Sequence, residues 1–206
     1  LAANLKELAR LKPTKIKGIS ANVLKKLVRQ AAIQYKKIQN TEPAYEILKP
    51  LIQNRGFNKL PMQNNHDLFF DMEGNSTVDG GHEYLFGMID GSTNKFVSFW
   101  AKSINEEEKA FEETIDFLYK HILKNPEAHI YHYNHYEVTN LKRLSFKYNS
   151  SGDILDFLLR NKKFIDLFKV VRQAIITSEL GRSIKDLEVF YMDKRTTEVT
   201  SGANSV

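Results

Sequence analysis

Cysteine is absent from the 206 residues of this chain. Disulfides and thiolate metal sites are therefore excluded, and any bound metal must be held by oxygen or imidazole. Long apolar runs are missing too: none approaches the ~20 residues that a membrane-spanning helix needs. The N-terminus has no basic-then-apolar stretch of the kind that directs secretion. The expectation is a cytoplasmic protein with no membrane partner. Proline is scarce, at five residues, and three of them, Pro43, Pro50 and Pro61, sit in one stretch that reads as a connector. Against these absences stand 13 Phe and 9 Tyr in a composition that is 42% hydrophobic and 27% charged. That is enough apolar area for the core of a globular protein of one or two domains.

The net charge of +5 is unevenly spread. Residues 1–60 carry 13 Lys and Arg against 3 Asp and Glu, and residues 61–206 carry 17 against 22. A basic segment joined to an acidic one suits a polyanion on the first and metal-binding acids on the second. Lysines that merely solvate an amphipathic helix produce the same basic excess.

Helical spacing runs from Asn4 to Leu11, stopping before Pro13, and again from Ala21 to Ile38. Between them lies the turn Lys15-Ile16-Lys17-Gly18-Ile19-Ser20. Two helices joined by such an apolar-x-Gly-apolar turn resemble a helix-hairpin-helix element. The resemblance implies that Lys15, Lys17, Gly18, Ile19 and Ser20 bind a nucleic-acid phosphate through backbone N–H groups and the next helix's N-terminus. An ordinary αα-hairpin whose Gly18 permits a left-handed turn gives the same pattern. A short strand at Tyr45–Leu48 lies in the connector, and a domain boundary is expected near residue 62.

Beyond it the rhythm changes. Three strands of an antiparallel meander are expected at Asp67–Glu73, Glu83–Ile89 and Lys95–Ala101, separated by Gly/Asn/Asp/Ser turns. A helix from Glu106 to Leu123 follows, with Phe111, Ile115, Leu118 and Ile122 on one stripe and Glu106-Glu107-Glu108 at its N-terminal end. Then come a strand at Ala128–Tyr133, helices at Tyr136–Phe146 and Ile154–Arg160, a strand at Phe164–Asp166 and a helical stretch at Leu167–Ala174. The fold class is therefore a mixed α/β sheet of ribonuclease H type, antiparallel strands first and parallel strands after, flanked by helices. A small helical segment precedes it. Residues 1–61 form the basic helical segment and linker, and residues 62–206 the ribonuclease H-like domain. Trp100 is expected in the core, and so are the interleaved Tyr131, Tyr133 and Tyr136, although rings in such a series also suit stacking on unpaired bases.

Within the first of these strands stands Phe70-Asp71-Met72-Glu73-Gly74. Residues i and i+2 of a strand share a face, so Asp71 and Glu73 converge while Phe70 and Met72 pack on the other side. Two converging carboxylates suit a hard divalent cation, which relieves their repulsion. A strand ending in water with two solvated acids gives the same pattern.

A second segment, Tyr131-His132-Tyr133-Asn134-His135-Tyr136-Glu137, resembles the second motif of the DEDD-type 3′→5′ exonucleases, in which a strand ends in His-Asn-x-x-aromatic-Asp. His132 takes the His position, Tyr133 the Asn position, Tyr136 the aromatic position and Glu137 the Asp position. The closer likeness is to the YprB-type ribonuclease H-like domain of bacterial RecB-like nucleases. It is carried by Phe70–Gly74, Glu83-Tyr84-Leu85-Phe86-Gly87, Tyr131–Glu137, Leu141-Lys142-Arg143-Leu144 and Asp166-Leu167-Phe168-Lys169-Val170-Val171-Arg172-Gln173.

The resemblance implies two-metal phosphodiester hydrolysis with Mg²⁺ or Mn²⁺, the two ions about 3.5–4 Å apart. Asp71 would bridge both ions, Glu73 would bind one and help position the water, and Glu137 would hold the other. Asp166 is a further metal candidate, and His132 a catalytic one. It also implies single-stranded DNA or RNA as substrate, and helicase or nuclease domains covalently linked in a parent protein. Two departures stand out. Glu137 replaces the usual Asp, and the chain reaches Val206 before the helix that carries the family's fourth acid, as expected of a C-terminally truncated fragment. That missing acid favours an alternative, a non-catalytic nucleic-acid-binding or scaffolding module. A restriction-type nuclease would need Glu-x-Lys on a strand, and its sole candidate, Glu107-Glu108-Lys109, opens the helix instead.

Overall fold

A computed structural model describes residues 2–12 and 15–193. The described residues divide into two compact units, one drawn from residues 2–59 and 168–193, the other from residues 60–167.

The larger unit is built on a five-stranded sheet in the order β4-β3-β2-β5-β6. Its strands are β2 (Leu68–Asn75), β3 (His82–Asp90), β4 (Lys95–Trp100), β5 (Ile130–His132) and β6 (Phe164–Asp166), numbered after β1 of the other unit. The β2–β3 and β3–β4 pairs are antiparallel, and β2–β5 and β5–β6 are parallel. This is the mixed sheet that alternation and turn chemistry predict, with no boundary displaced by more than two residues.

Three helices belong to this unit: α3 (Glu107–Lys124), α4 (Tyr136–Tyr148) and α5 (Gly152–Arg160). The predicted stripe of α3 holds, since Phe111, Ile115, Leu118 and Ile122 are all buried. They meet Leu68, Phe70 and Met72 of β2, Phe86 and Met88 of β3, and Leu141, Leu144, Leu155 and Leu158 of α4 and α5. One such cluster provides the main favourable energy of the unit. Truncating Phe111 to Ala would cost about 3–5 kcal/mol.

The other face of β2 is different. Its residues alternate buried and exposed from Leu68 to Met72, so Phe69, Asp71 and Glu73 point away from this cluster. Register places Ile89 and Phe96 beside Phe69, and Leu85 and Trp100 beside Glu73. Phe69, Ile89 and Phe96 are exposed. Trp100 is a correction to the expected core: it is 54% exposed and stacks on Tyr84 with centroids 6.4 Å apart. Being one residue off the buried set of the edge strand decides this, because period 2 reverses the face at each step. Tyr131 is buried as expected and stacks on Phe69 at 5.6 Å.

The smaller unit contains α1 (Leu5–Arg10), α2 (Ala21–Asn40), β1 (Tyr45–Ile47), α6 (Leu167–Ala174, from Phe168 onward), β7 (Ile175–Thr177) and α7 (Ile184–Leu187). Asn4 and Ser20 cap α1 and α2, accepting the N–H of Glu7 at 2.9 Å and of Val23 at 3.3 Å. The pairing of β1 with β7, antiparallel from Tyr45↔Thr177 to Ile47↔Ile175, was not expected. Gln30 of α2 donates to the carbonyl of Thr177 at 2.8 Å and ties the helix to this ribbon. No helix among the described residues is long and apolar enough to cross a membrane.

Candidate functional site

Parallel pairing of β2 with β5 positions the acids. Leu68 pairs with Ile130 and Phe69 with Tyr131, so β5 ends at His132 just as β2 reaches Asp71. The buried carboxylate of Asp67 fixes this register by accepting the N–H groups of Asn64 at 2.9 Å and His129 at 2.8 Å. After His132 the chain must reverse into α4 within three residues. Asn134 does this at φ 79°, in the left-handed region that Asn tolerates better than most residues. Its N–H donates to Asp166 at the end of the neighbouring strand, at 3.1 Å. Asp166 thus holds the turn that launches α4.

Glu137 lies in the first turn of α4 and is buried. Its Oε2 is 3.3 Å from Nδ1 of His132, also buried. On the other side it reaches Asp71. Burial, the charge of Glu137 and the charge of Glu73, in that order, raise the Asp71 carboxyl from 3.8 to about 6, with a hydrogen bond to Glu137 adding to the effect. The N–H of Met72 opposes them weakly. Although much of Asp71 is open to solvent, its carboxyl is desolvated enough for its neighbours' charges to act strongly.

Asp71, Glu73, Glu137, His132 and Asp166 thus lie toward one end of the sheet. Among the described residues no three acidic or imidazole groups form a ready-made metal cluster. His135 is exposed and its Nδ1 lies 2.9 Å from the side-chain oxygen of its neighbour Asn134.

Three further side chains brace the site. Tyr136 donates its hydroxyl to Oε2 of Glu83 at 2.8 Å, and Arg143 donates to Oε1 at 2.7 Å. Arg143 also reaches the carbonyl of Gly80 at 3.0 Å, so α4 is bolted to β3 and the hairpin before it. Glu83 is buried and packs over Gly74, where a Cβ would sit 2.1 Å from its carboxylate and 2.6 Å from the Tyr136 hydroxyl. Glycine directly after Glu73 was the signal in the sequence that something approaches the backbone there. The family model described as RNase_H superfamily matches the chain over residues 68–206. The chain belongs to the RNase H superfamily. The match begins at the first residue of β2. No curated protein and no solved structure matches the chain significantly.

In this RNase H-like fold, Glu107 opens α3 rather than lying on a strand, which removes the restriction-type alternative. In the smaller unit, Ile19 N–H closes the turn onto the carbonyl of Ile16 at 3.2 Å, with Gly18 at φ 83°, as in a type II turn. Lys15, Lys17, Gly18, Ile19 and Ser20 thus form one tight connection into the N-terminus of α2.

Proposed function

We propose that this chain is a metal-dependent nuclease domain that hydrolyses phosphodiester bonds of single-stranded DNA or RNA as a 3′→5′ exonuclease of the DEDD type. The YprB-type likeness of its motifs supports, as part of the same reading, a RecB-like parent protein with linked helicase or nuclease domains. The observation that carries the reading is the meeting of Asp71, Glu73 and Glu137 in one electrostatic environment at the exposed end of β2. The donor set fits Mg²⁺ or Mn²⁺: three carboxylates, no sulfur, and a mutual repulsion that lifts Asp71 toward neutrality and that a dication would relieve.

Asp71, Glu73 and Glu137 would hold the metal, which when bound supplies an activated water and stabilises the departing oxygen. His132 orients the Glu137 carboxylate through the 3.3 Å contact. Asp166 acts on the backbone of the turn rather than as a ligand, and so fixes where Glu137 begins its helix. Phe69 and Phe96 offer exposed rings on the same face, suited to unpaired bases.

A 5′-labelled single-stranded oligonucleotide incubated with Mn²⁺ tests this. A ladder shortening from the 3′ end, lost in Asp71→Asn and in excess chelator, is the expected result. Binding of the oligonucleotide that is unchanged by metal, with no cleavage by wild type, would favour the second reading, a non-catalytic nucleic-acid-binding or scaffolding module. The lack, among the described residues, of three acidic or imidazole groups already arranged to hold a metal is the observation on that side.

A further inference from the structure

The smaller unit has a groove along the N-terminal half of α2 that no part of the acidic site uses. It consists of two adjoining hollows of about 400 and 440 Å³ that share Lys25, Lys26, Leu48 and Arg55. Arg172 lines one hollow and Lys49 the other. The side chains of Lys25, Lys26, Lys49, Arg55 and Arg172 are exposed and make no ion pair or hydrogen bond among the described residues. Arg29, which also lines one hollow, is matched, donating from Nε to both oxygens of Glu46 at 3.0 and 3.1 Å. The other five cations form a cluster of unmatched charge along the groove.

Five like charges along one groove repel one another, and side-chain solvation alone does not require them to line a concavity. Their floor is aliphatic, with Val23, Leu27, Leu48 and Ile52, and Phe57 is the one aromatic ring lining either hollow. A floor with so little to stack bases, under a rim of Lys and Arg, matches a phosphate backbone better than base edges. We infer that this groove is an anchoring site for the phosphate backbone of a nucleic-acid strand, independent of the acidic centre and adjoining the Ile16–Ile19 turn, whose own hollow shares Lys25. It relies on the nuclease reading only for the choice of nucleic acid as the polyanion. Recognition there is by charge, so it is indifferent to sequence and steeply salt-dependent.

Fluorescence anisotropy of a labelled oligothymidylate, titrated in EDTA at several salt concentrations, separates this site from catalysis. The combined variant Lys25→Gln, Lys26→Gln, Arg55→Gln is expected to bind at least about tenfold more weakly, and its log–log salt slope to fall by about 2, from roughly 0.7 per lost contact on single strands. Wild-type protein that binds the oligothymidylate in EDTA but does not cleave it with Mn²⁺ would sink the nuclease and leave the groove standing. Affinity and slope unchanged in the triple variant, or lost instead in Lys15→Gln, Lys17→Gln, would overturn the groove. Equal affinity for polyglutamate or for anionic vesicles would overturn nucleic acid as its occupant. Amine acetylation of the wild-type protein gives a readout that needs no variant: Lys25 and Lys26 protected by the oligonucleotide support the site, and unprotected lysines refute it.

Discussion

Nδ1 of His132 and Oε2 of Glu137 stand 3.3 Å apart, both side chains almost wholly withdrawn from solvent. A buried carboxylate needs a partner, and this imidazole fixes its rotamer on the side away from Asp71. Replacing His132 by Ala is therefore expected to cost about 10–100-fold in activity or metal affinity, the usual loss when a group that orients a ligand is removed. His132→Gln, which can still donate to the carboxylate, should recover part of it. Steady-state rates at varied Mn²⁺ would check this: a purely structural role would lower the melting temperature of both variants without moving the metal dependence.

The bolt formed by Tyr136, Glu83 and Arg143 makes a second prediction. Tyr136→Phe removes one hydrogen bond to a charged acceptor and is expected to cost about 1.5–3 kcal/mol at most, with the smaller value favoured because Arg143 still satisfies Glu83. Gly74→Ala forces a methyl group onto the Glu83 carboxylate and should be the more damaging change, although alanine is the smallest possible substitution. Urea denaturation of the two variants ranks them. The opposite order would mean that Glu83 moves aside without loss.

Most of this architecture was legible because its signals are local. Alternation along Leu68–Met72 assigned the inward and outward faces of β2, and the period of Phe111, Ile115, Leu118 and Ile122 assigned that of α3. The acidic pair followed from the strand period alone. What escaped was carried by contacts remote in sequence. β7 is three residues long and acquires its identity from β1, about 130 residues earlier. Trp100 lies on an edge strand where composition says core and register says otherwise. Glu83 and Arg143 look like ordinary surface charges until the fold sets them 2.7 Å apart.

Asp71 couples pH to stability in the metal-free protein. Its carboxyl titrates near 6 in the folded state and near 3.8 when unperturbed, so the native protein binds the extra proton between those values. The stability this group contributes is therefore complete below about pH 4 and is lost as pH rises through 6. Thermal melts in EDTA from pH 4 to 8 should show that decline in wild type and a flatter profile in Asp71→Asn, with the variant melting higher at pH 7. Adding Mn²⁺ at pH 7 should raise the wild-type melting temperature and leave the variant unmoved. Parallel pH profiles for the two proteins would contradict the coupling.

Glu107 makes the opposite pH prediction from within the core. Its side chain is fully buried at the start of α3, where it accepts the N–H of Glu83 at 2.5 Å, Nζ of Lys147 at 2.6 Å and the Tyr148 hydroxyl at 2.5 Å. Burial pushes its carboxyl up, but Lys147, Tyr148 and the Glu83 N–H together outweigh burial and hold it below the usual range. Its contribution is thus present above the ordinary glutamate value and lost as pH falls through the depressed one. Glu107→Ala strands a lysine, a hydroxyl and a backbone N–H at once, and is expected to cost about 3–5 kcal/mol. Lys147→Met, which leaves Tyr148 and the N–H in place, should cost less and shift the acid limb of the stability curve toward neutral pH. Both follow from denaturant midpoints measured from pH 3 to 7, and a Glu107→Ala midpoint within error of wild type would show that the network is dispensable to the sheet it joins.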